Sequence, residues 1–345
     1  MALKDSKKPK KHLLYEMFNP RGNGKGISKE EAAKPKTIGR FFRYFSSNFN
    51  MMFALNIFMF LGNFPVLFGL YALTGNMNIH TTAPASSLFG PIYGAMTAGG
   101  VKDPVSAALM GVHGVQAEIT MMTTATKVFF ALTCLIIFTF GIVNACIAYV
   151  MRNIVKGEST TLISDIKYCV KRNWKQALLL GMIDLIMIAV IIYDVLFFFI
   201  GGTGGVASFL FGAMLVVAML YVMMRNYMYV LLVTFDLPIG KILKNSFIFA
   251  LLGFKRNIVA FLGGLAVWVL DYMILTVIFP VGLVLPVIFL ISLTTFMGIY
   301  AAYPKIKEIM IDPYYVSDEV GAKERTDGAE DEEDELPEPI FKDRG

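Results

Sequence analysis

Histidine, cysteine, charge and every common catalytic signature are scarce in this chain. Its 345 residues include three histidines and three cysteines. His12, His80 and His113 are scattered, without the spacing of a metal site, so no metal is expected. The three cysteines make no disulfide framework. Cys134 and Cys146 fall in an apolar block and read as packing residues, and Cys169 falls in a basic loop. There is no Gly-Lys-Ser/Thr phosphate loop, no HExxH and no GxSxG, so neither an ATPase subunit nor a common hydrolase is expected. The glycines of 201–205 lack the strand–helix setting of a nucleotide fingerprint. The expectation is therefore a protein that is not an enzyme and needs no cofactor. The basic start, "MALKDSKKPKKHLLYEMF", has no apolar stretch directly behind it, so a cleavable signal peptide is not expected.

Charged residues make up 17% of the chain, against about 25% in a soluble domain. Apolar residues, 56% of the whole, instead gather in six blocks: 51–73, 128–151, 177–200, 207–224, 258–279 and 281–303. About 20 residues at about 1.5 Å each cross a hydrocarbon core of about 30 Å. The pattern predicts an all-α polytopic membrane bundle of six transmembrane helices. Its domains are a flexible basic arm at 1–38, a six-span domain at 39–305 and an acidic, disordered tail at 306–345.

Lysine and arginine set the expected orientation. Residues 1–50 hold 12, 152–176 hold 6, 225–257 hold 5, and 6 follow Tyr303; only Lys102 and Lys127 remain. Positive residues collect on the cytoplasmic side, so both termini are expected inside and the 74–127 loop outside. That basic inner face suits the lipid bilayer's anionic inner-leaflet headgroups or an acidic partner rather than nucleic acid. The stretch "GRFFRYFSSNF" at 39–49 reads as an interfacial helix. In the first span, Asn56, Gly62, Asn63 and Pro65 predict a kink whose freed carbonyls need partners. The outer loop is long and weakly charged, and is expected to fold as a lid, with a helix capped by Asp103 and begun by Pro104.

Two amphipathic cytoplasmic helices are expected. In the loop 152–176, Leu162, Ile163, Ile166, Val170 and Trp174 recur at helical spacing among lysines. In 236–256, Ile239, Ile242, Leu243, Phe247, Ala250 and Phe254 do the same. An echo links them. "AYVMRN" closes the second block and "LYVMMRN" the fourth, and each amphipathic segment ends in "KRN". This predicts a parallel internal repeat, spans two and three matching spans four and five. By that match Arg225, like Arg152, marks the inner membrane edge and reaches the headgroups. Lys171, Arg172, Trp174, Lys255 and Arg256 join them as inner-interface candidates. The fourth helix is expected to run on past Arg225.

Three aspartates lie within the blocks. Counted from the "KRN" edges, Asp184 falls about 16 Å in and Asp271 about 21 Å in, near mid-membrane, while Asp194 falls at the outer interface, about 32 Å in. A carboxylate at mid-depth must face the bundle interior and find a partner. Each serves either as an interhelical hydrogen bond or as a ligand-binding or coupling site; Trp268 and Tyr272 beside Asp271 would suit a sugar-like ligand.

"FTFGIVNACIAYVMRNIVKGESTTLISDIKYCVKRNWKQALLLGMID", with "YDVLFFFI" and "RNYMYVLLVTFDLPIGKILKNSFIFALL", resembles the YesL family of bacterial integral membrane proteins, the domain of unknown function 624. The resemblance covers roughly 40–305, and departs from the family where Gly141-Ile142 stands for a frequent Gly-Pro. It implies a bacterial plasma-membrane protein, often encoded beside carbohydrate importers and glycan-degrading enzymes, with no established activity. Two functions follow as expectations: an accessory or regulatory component of carbohydrate uptake, with importer subunits as partners, or a small secondary transporter of a sugar-like solute using the mid-membrane aspartates.

Overall fold

The computed structural model describes residues 36–99, 104–202 and 204–313. Most of the expected basic arm and acidic tail, and Asp103, lie outside the described residues. Two compact units emerge, one of residues 1–63 and 137–345, the other of residues 64–136.

The larger unit begins with α1 (Ile38–Ser47), which buries Phe41 and Tyr44, and α2 (Phe49–Gly62). It continues from α7 (Ile136–Lys156) through α8 (Leu162–Ile200), α9 (Gly205–Thr234), α10 (Ile239–Leu252), α11 (Phe254–Val277), α12 (Phe279–Leu285) and α13 (Ile291–Ile306). Five helical stretches are long and apolar enough to cross a membrane, six if α2 and the helix after it count as one span. The polytopic helical bundle is thus the observed fold. The first span breaks where its sequence demands: Pro65 opens α3 (Pro65–Leu73) and has no N–H with which to carry the hydrogen-bond ladder on from α2.

The smaller unit holds α3, β1 (Ile79–Pro84), α4 (Phe89–Gly99), α5 (Pro104–His113), β2 (Gln116–Met121) and α6 (Thr124–Thr133). β1 pairs antiparallel with β2, Ile79 opposite Met121 and Pro84 opposite Gln116. The ribbon is absent from the all-α expectation, because its strands are short and weakly alternating. The Pro104 helix start is where the sequence puts it.

The first amphipathic segment differs from its expectation. It is no separate interfacial helix but the first half of α8, a single helix of 39 residues, about 58 Å long. No proline interrupts 162–200 and its one glycine, Gly181, lies beyond "KRN", so nothing stops the helix. The second segment does stand alone as α10, started after Pro238 and ended at Gly253. The two "KRN" triplets still point alike: Asn173 and Asn257 are buried, while the basic residues before them face outward or are half-buried.

Two contacts set the packing. Gly141 of α7 and Gly181 of α8 meet so closely that a Cβ on Gly141 would lie 2.7 Å from the Gly181 Cα. Only glycine permits such an approach, and small residues are how membrane helices come together. In α13, Gly298 packs directly on Asn226 of α9.

Between α12 and α13 the chain makes a π turn, Pro286–Leu290. Asn56 of α2, fully buried, reaches it. Its Nδ2 donates to Pro286 O at 2.8 Å and Val287 O at 2.6 Å, and its Oδ1 accepts from the Ser292 amide at 2.7 Å. Val287 and Ser292 are five residues apart, the spacing a π turn joins. The Asn56 carboxamide thus bridges the ladder like an added peptide group.

Candidate functional site

Tyr221, Arg225 and Tyr229 are spaced four apart on α9, so they share one face. That face meets Asp184 of α8, which is wholly buried. Asp184 Oδ2 accepts from Arg225 Nε at 2.8 Å and from the Tyr229 hydroxyl at 2.7 Å, and Oδ1 accepts from the Tyr221 hydroxyl at 2.7 Å. Arg225 Nη2 donates to Asn144 Oδ1 of α7 at 3.0 Å, and its guanidinium lies over the Phe140 and Tyr229 rings. Three helices are fastened by one ion pair with its hydrogen bonds. The carboxylate has three donors, which is the condition under which a buried charge is tolerated.

This geometry corrects two readings. Arg225 does not reach for headgroups; its side chain is 28% exposed and is spent on Asp184 and Asn144. Nor can Asp184 sit at mid-membrane while Arg225 marks the edge, since the two touch and share one level. α8 runs straight through the "KRN" triplet, which therefore marks no helix start. Measured from the start of α9 at Gly205, Arg225 is about 20 residues along, or about 30 Å. That is the full thickness of a hydrocarbon core. α9 does run on past Arg225 to Thr234.

Arg152 is also corrected. It is fully buried rather than at a surface. It donates to Val233 O at 2.9 Å and Thr234 Oγ1 at 3.3 Å near the C-terminal end of α9, and to Asn153 Oδ1. A cation at carbonyls of a helix C-terminus is favourably placed. Asn144 to Arg225 and Arg152 to Val233 span the same separation, so α7 and α9 run parallel, as the repeat expects. The echoed arginines nevertheless do different work.

The remaining inner-interface candidates behave as surface groups. Trp174 is 47% exposed beside Lys175, Arg172 bonds the exposed Tyr168 hydroxyl, and Lys171 and Lys255 are exposed. Arg256 is half-buried and donates to Lys36 O, just before α1, at 3.5 Å. Burial, and then the charges of Lys307, Arg40 and Arg256, lower Lys36 to about 8.

Asp271 and Asp194 stand apart from the Asp184 network. Asp194 is half-buried near the end of α8. Asp271 is buried, and its Oδ1 has no hydrogen-bond partner among the described residues. Trp268 and Tyr272 are 42% and 65% exposed, so neither ring is enclosed beside it. Among the described residues no cluster of three metal-binding side chains occurs. Sequence reasoning missed Tyr221, Tyr229 and Asn144 as partners of Asp184; the four-residue spacing of Tyr221, Arg225 and Tyr229 was the available signal.

These features define a class: a helical polytopic bundle of membrane type, braced internally by buried polar groups. Comparison with family models adds a resemblance over part of the chain. The model of the family described as a protein of unknown function, DUF624, matches residues 120–195, which include α7 and most of α8. This is the family the sequence resemblance named. No curated protein and no solved structure gave a match.

Proposed function

We propose that this chain is a multi-pass plasma-membrane protein with cytoplasmic termini, without catalytic chemistry, that serves as an accessory or regulatory component of carbohydrate uptake. The observation that carries this reading is the saturation of Asp184. Its carboxylate is held by Arg225, Tyr221 and Tyr229, so this buried ionic group is committed to fastening helices. What remains open to a partner is outward-facing. Tyr168, Lys171, Arg172, Trp174 and Lys175 form an exposed basic and aromatic strip on the first half of α8. Such a strip suits anionic headgroups and the acidic surface of an importer subunit. Affinity purification from native membranes is the test. Importer subunits should be recovered with the wild type and depleted with Trp174→Ala/Arg172→Ala; repeated recovery of the chain alone refutes the reading.

A second reading, secondary transport of a small sugar-like solute, is favoured by one observation, the unpartnered Oδ1 of Asp271. Liposomes containing the purified protein should then accumulate solute, and Asp271→Asn should abolish it.

A further inference from the structure

Four cations from three parts of the larger unit gather at the start of α1. Lys36 stands just before that helix and Arg40 lies in its first turn. Arg256, in the first turn of α11, donates to Lys36 O at 3.5 Å. Tyr300 of α13 donates to Thr37 O at 3.0 Å, and Lys307 follows seven residues, or about two turns, along the same helical stretch. Burial, and then the charges of Lys307, Arg40 and Arg256, lower Lys36, so all three lie within electrostatic reach of it. The first turns of α1 and α11 hold no acidic residue, and a helix dipole disfavours cations there. Asp312 Oδ1 stands 3.9 Å from Lys307 Nζ, near the outer limit of an ion pair.

The same chain supplies a matching anion. The described residues end at 313, six after Lys307. Further on, Glu330 to Glu335 are six acidic residues in succession. The stretch from 313 to 330 can span up to about 56–61 Å, so the acidic run can reach the cluster. A segment tethered over so short a distance meets its site at an effective concentration on the order of a millimolar. A lipid headgroup or a second copy carries the right charge but lacks that tether.

We propose that the acidic run Glu330–Glu335 docks on the cluster of Lys36, Arg40, Arg256 and Lys307, so that this chain's own tail covers the surface. The tail then withholds that face from other anions, headgroups included. Contact between exposed charges of this kind is screened by salt. It uses none of the residues of the α8 strip, so the importer reading stands or falls separately.

The test uses the full chain in phosphatidylcholine nanodiscs, with and without phosphatidylglycerol. A water-soluble carbodiimide joins a carboxylate to an amine only where the two touch, and mass spectrometry identifies the joined peptides. Lys36 or Lys307 should be joined to Glu330–Glu335 in both lipids, and the bond should be lost in about 1 M NaCl. Mixed isotopically light and heavy chains should show it to lie within one chain. Arg40→Gln/Arg256→Gln leaves both lysines in place, and Glu332→Gln/Glu333→Gln/Asp334→Asn leaves the cluster unaltered; each should lower the yield. A glutamate-specific protease should cut after Glu330 and Glu335 about threefold faster or more in either variant than in the wild type, since cleavage follows the undocked population. Bonds to Lys7, Lys8, Lys10 or Lys11, or to Lys171 or Lys175, in place of the cluster overturn the proposal. So do bonds formed only between chains, bonds that vanish with phosphatidylglycerol and so give the surface to lipid, or cleavage unchanged by both variants.

Discussion

Replacing Arg225 by methionine removes one half of the ion pair and keeps most of the side-chain volume. Asp184 would stay wholly buried with two tyrosine hydroxyls and no cation. Two unit charges about 4 Å apart attract by about 4 kcal/mol at an effective dielectric of about 20. Breaking a buried pair on one side costs about 3–5 kcal/mol, because the remaining charge is left uncompensated. Asp184→Leu alone should cost less, about 2–3 kcal/mol, since Arg225 is partly exposed and keeps Asn144 and two rings. The double variant removes both charges and should cost no more than the worse single one. The coupling read from that cycle should thus exceed about 2 kcal/mol, against near zero for independent sites. Denaturant titration in mixed micelles, following tryptophan fluorescence, measures all four proteins. Single losses below about 1 kcal/mol that simply add in the double variant would refute the brace.

Other expectations follow from neighbouring features. Gly141→Leu should destabilise by about 3 kcal/mol or more, because a Cβ there meets the α8 backbone, while Gly212→Leu, in open space, should be nearly silent; the same titration compares them. Asn56→Ala orphans Pro286 O, Val287 O and the Ser292 amide, and should cost about 2–4 kcal/mol and speed amide exchange around the π turn. Lys36, held at about 8, gives a pH signature. Its folded pKa lies below the unfolded one, so the penalty of charging it is fully present below pH 8 and fades as pH rises towards 10.5. Lys36→Met should therefore be more stable relative to wild type at pH 7 than at pH 10; a difference independent of pH would contradict this.

Apolar runs make the long spanning helices legible in sequence, because lipid imposes length and exclusion of charge on each helix by itself. Pro65 and Pro238 likewise mark breaks that local chemistry enforces. Levels between helices were not legible. "KRN" looks like a membrane edge, yet in α8 nothing halts the helix there, and counting from it does not reveal that Asp184 and Arg225 share one level. Arg152 and Arg225 read as anchors because their partners, Val233 O and Asp184, are about 80 and 40 residues away. The burial of Asp271 was foreseen from the cost of charge in lipid, but its isolation was not, since isolation depends on what α12 and α13 fail to bring.

The Asn56 bridge has a consequence for how the chain is made. Its partners at Pro286, Val287 and Ser292 lie 230 to 236 residues further along. At synthesis rates of about 5–20 residues per second, the first span waits about 10–50 s before the last helix exists. Throughout that interval the carboxamide must be hosted by translocon, lipid headgroups or water. The bundle closes only after the ribosome has finished the membrane segment, and truncated chains lacking the final helix present an exposed amide in the bilayer, a mark by which quality control can tell unfinished copies from complete ones.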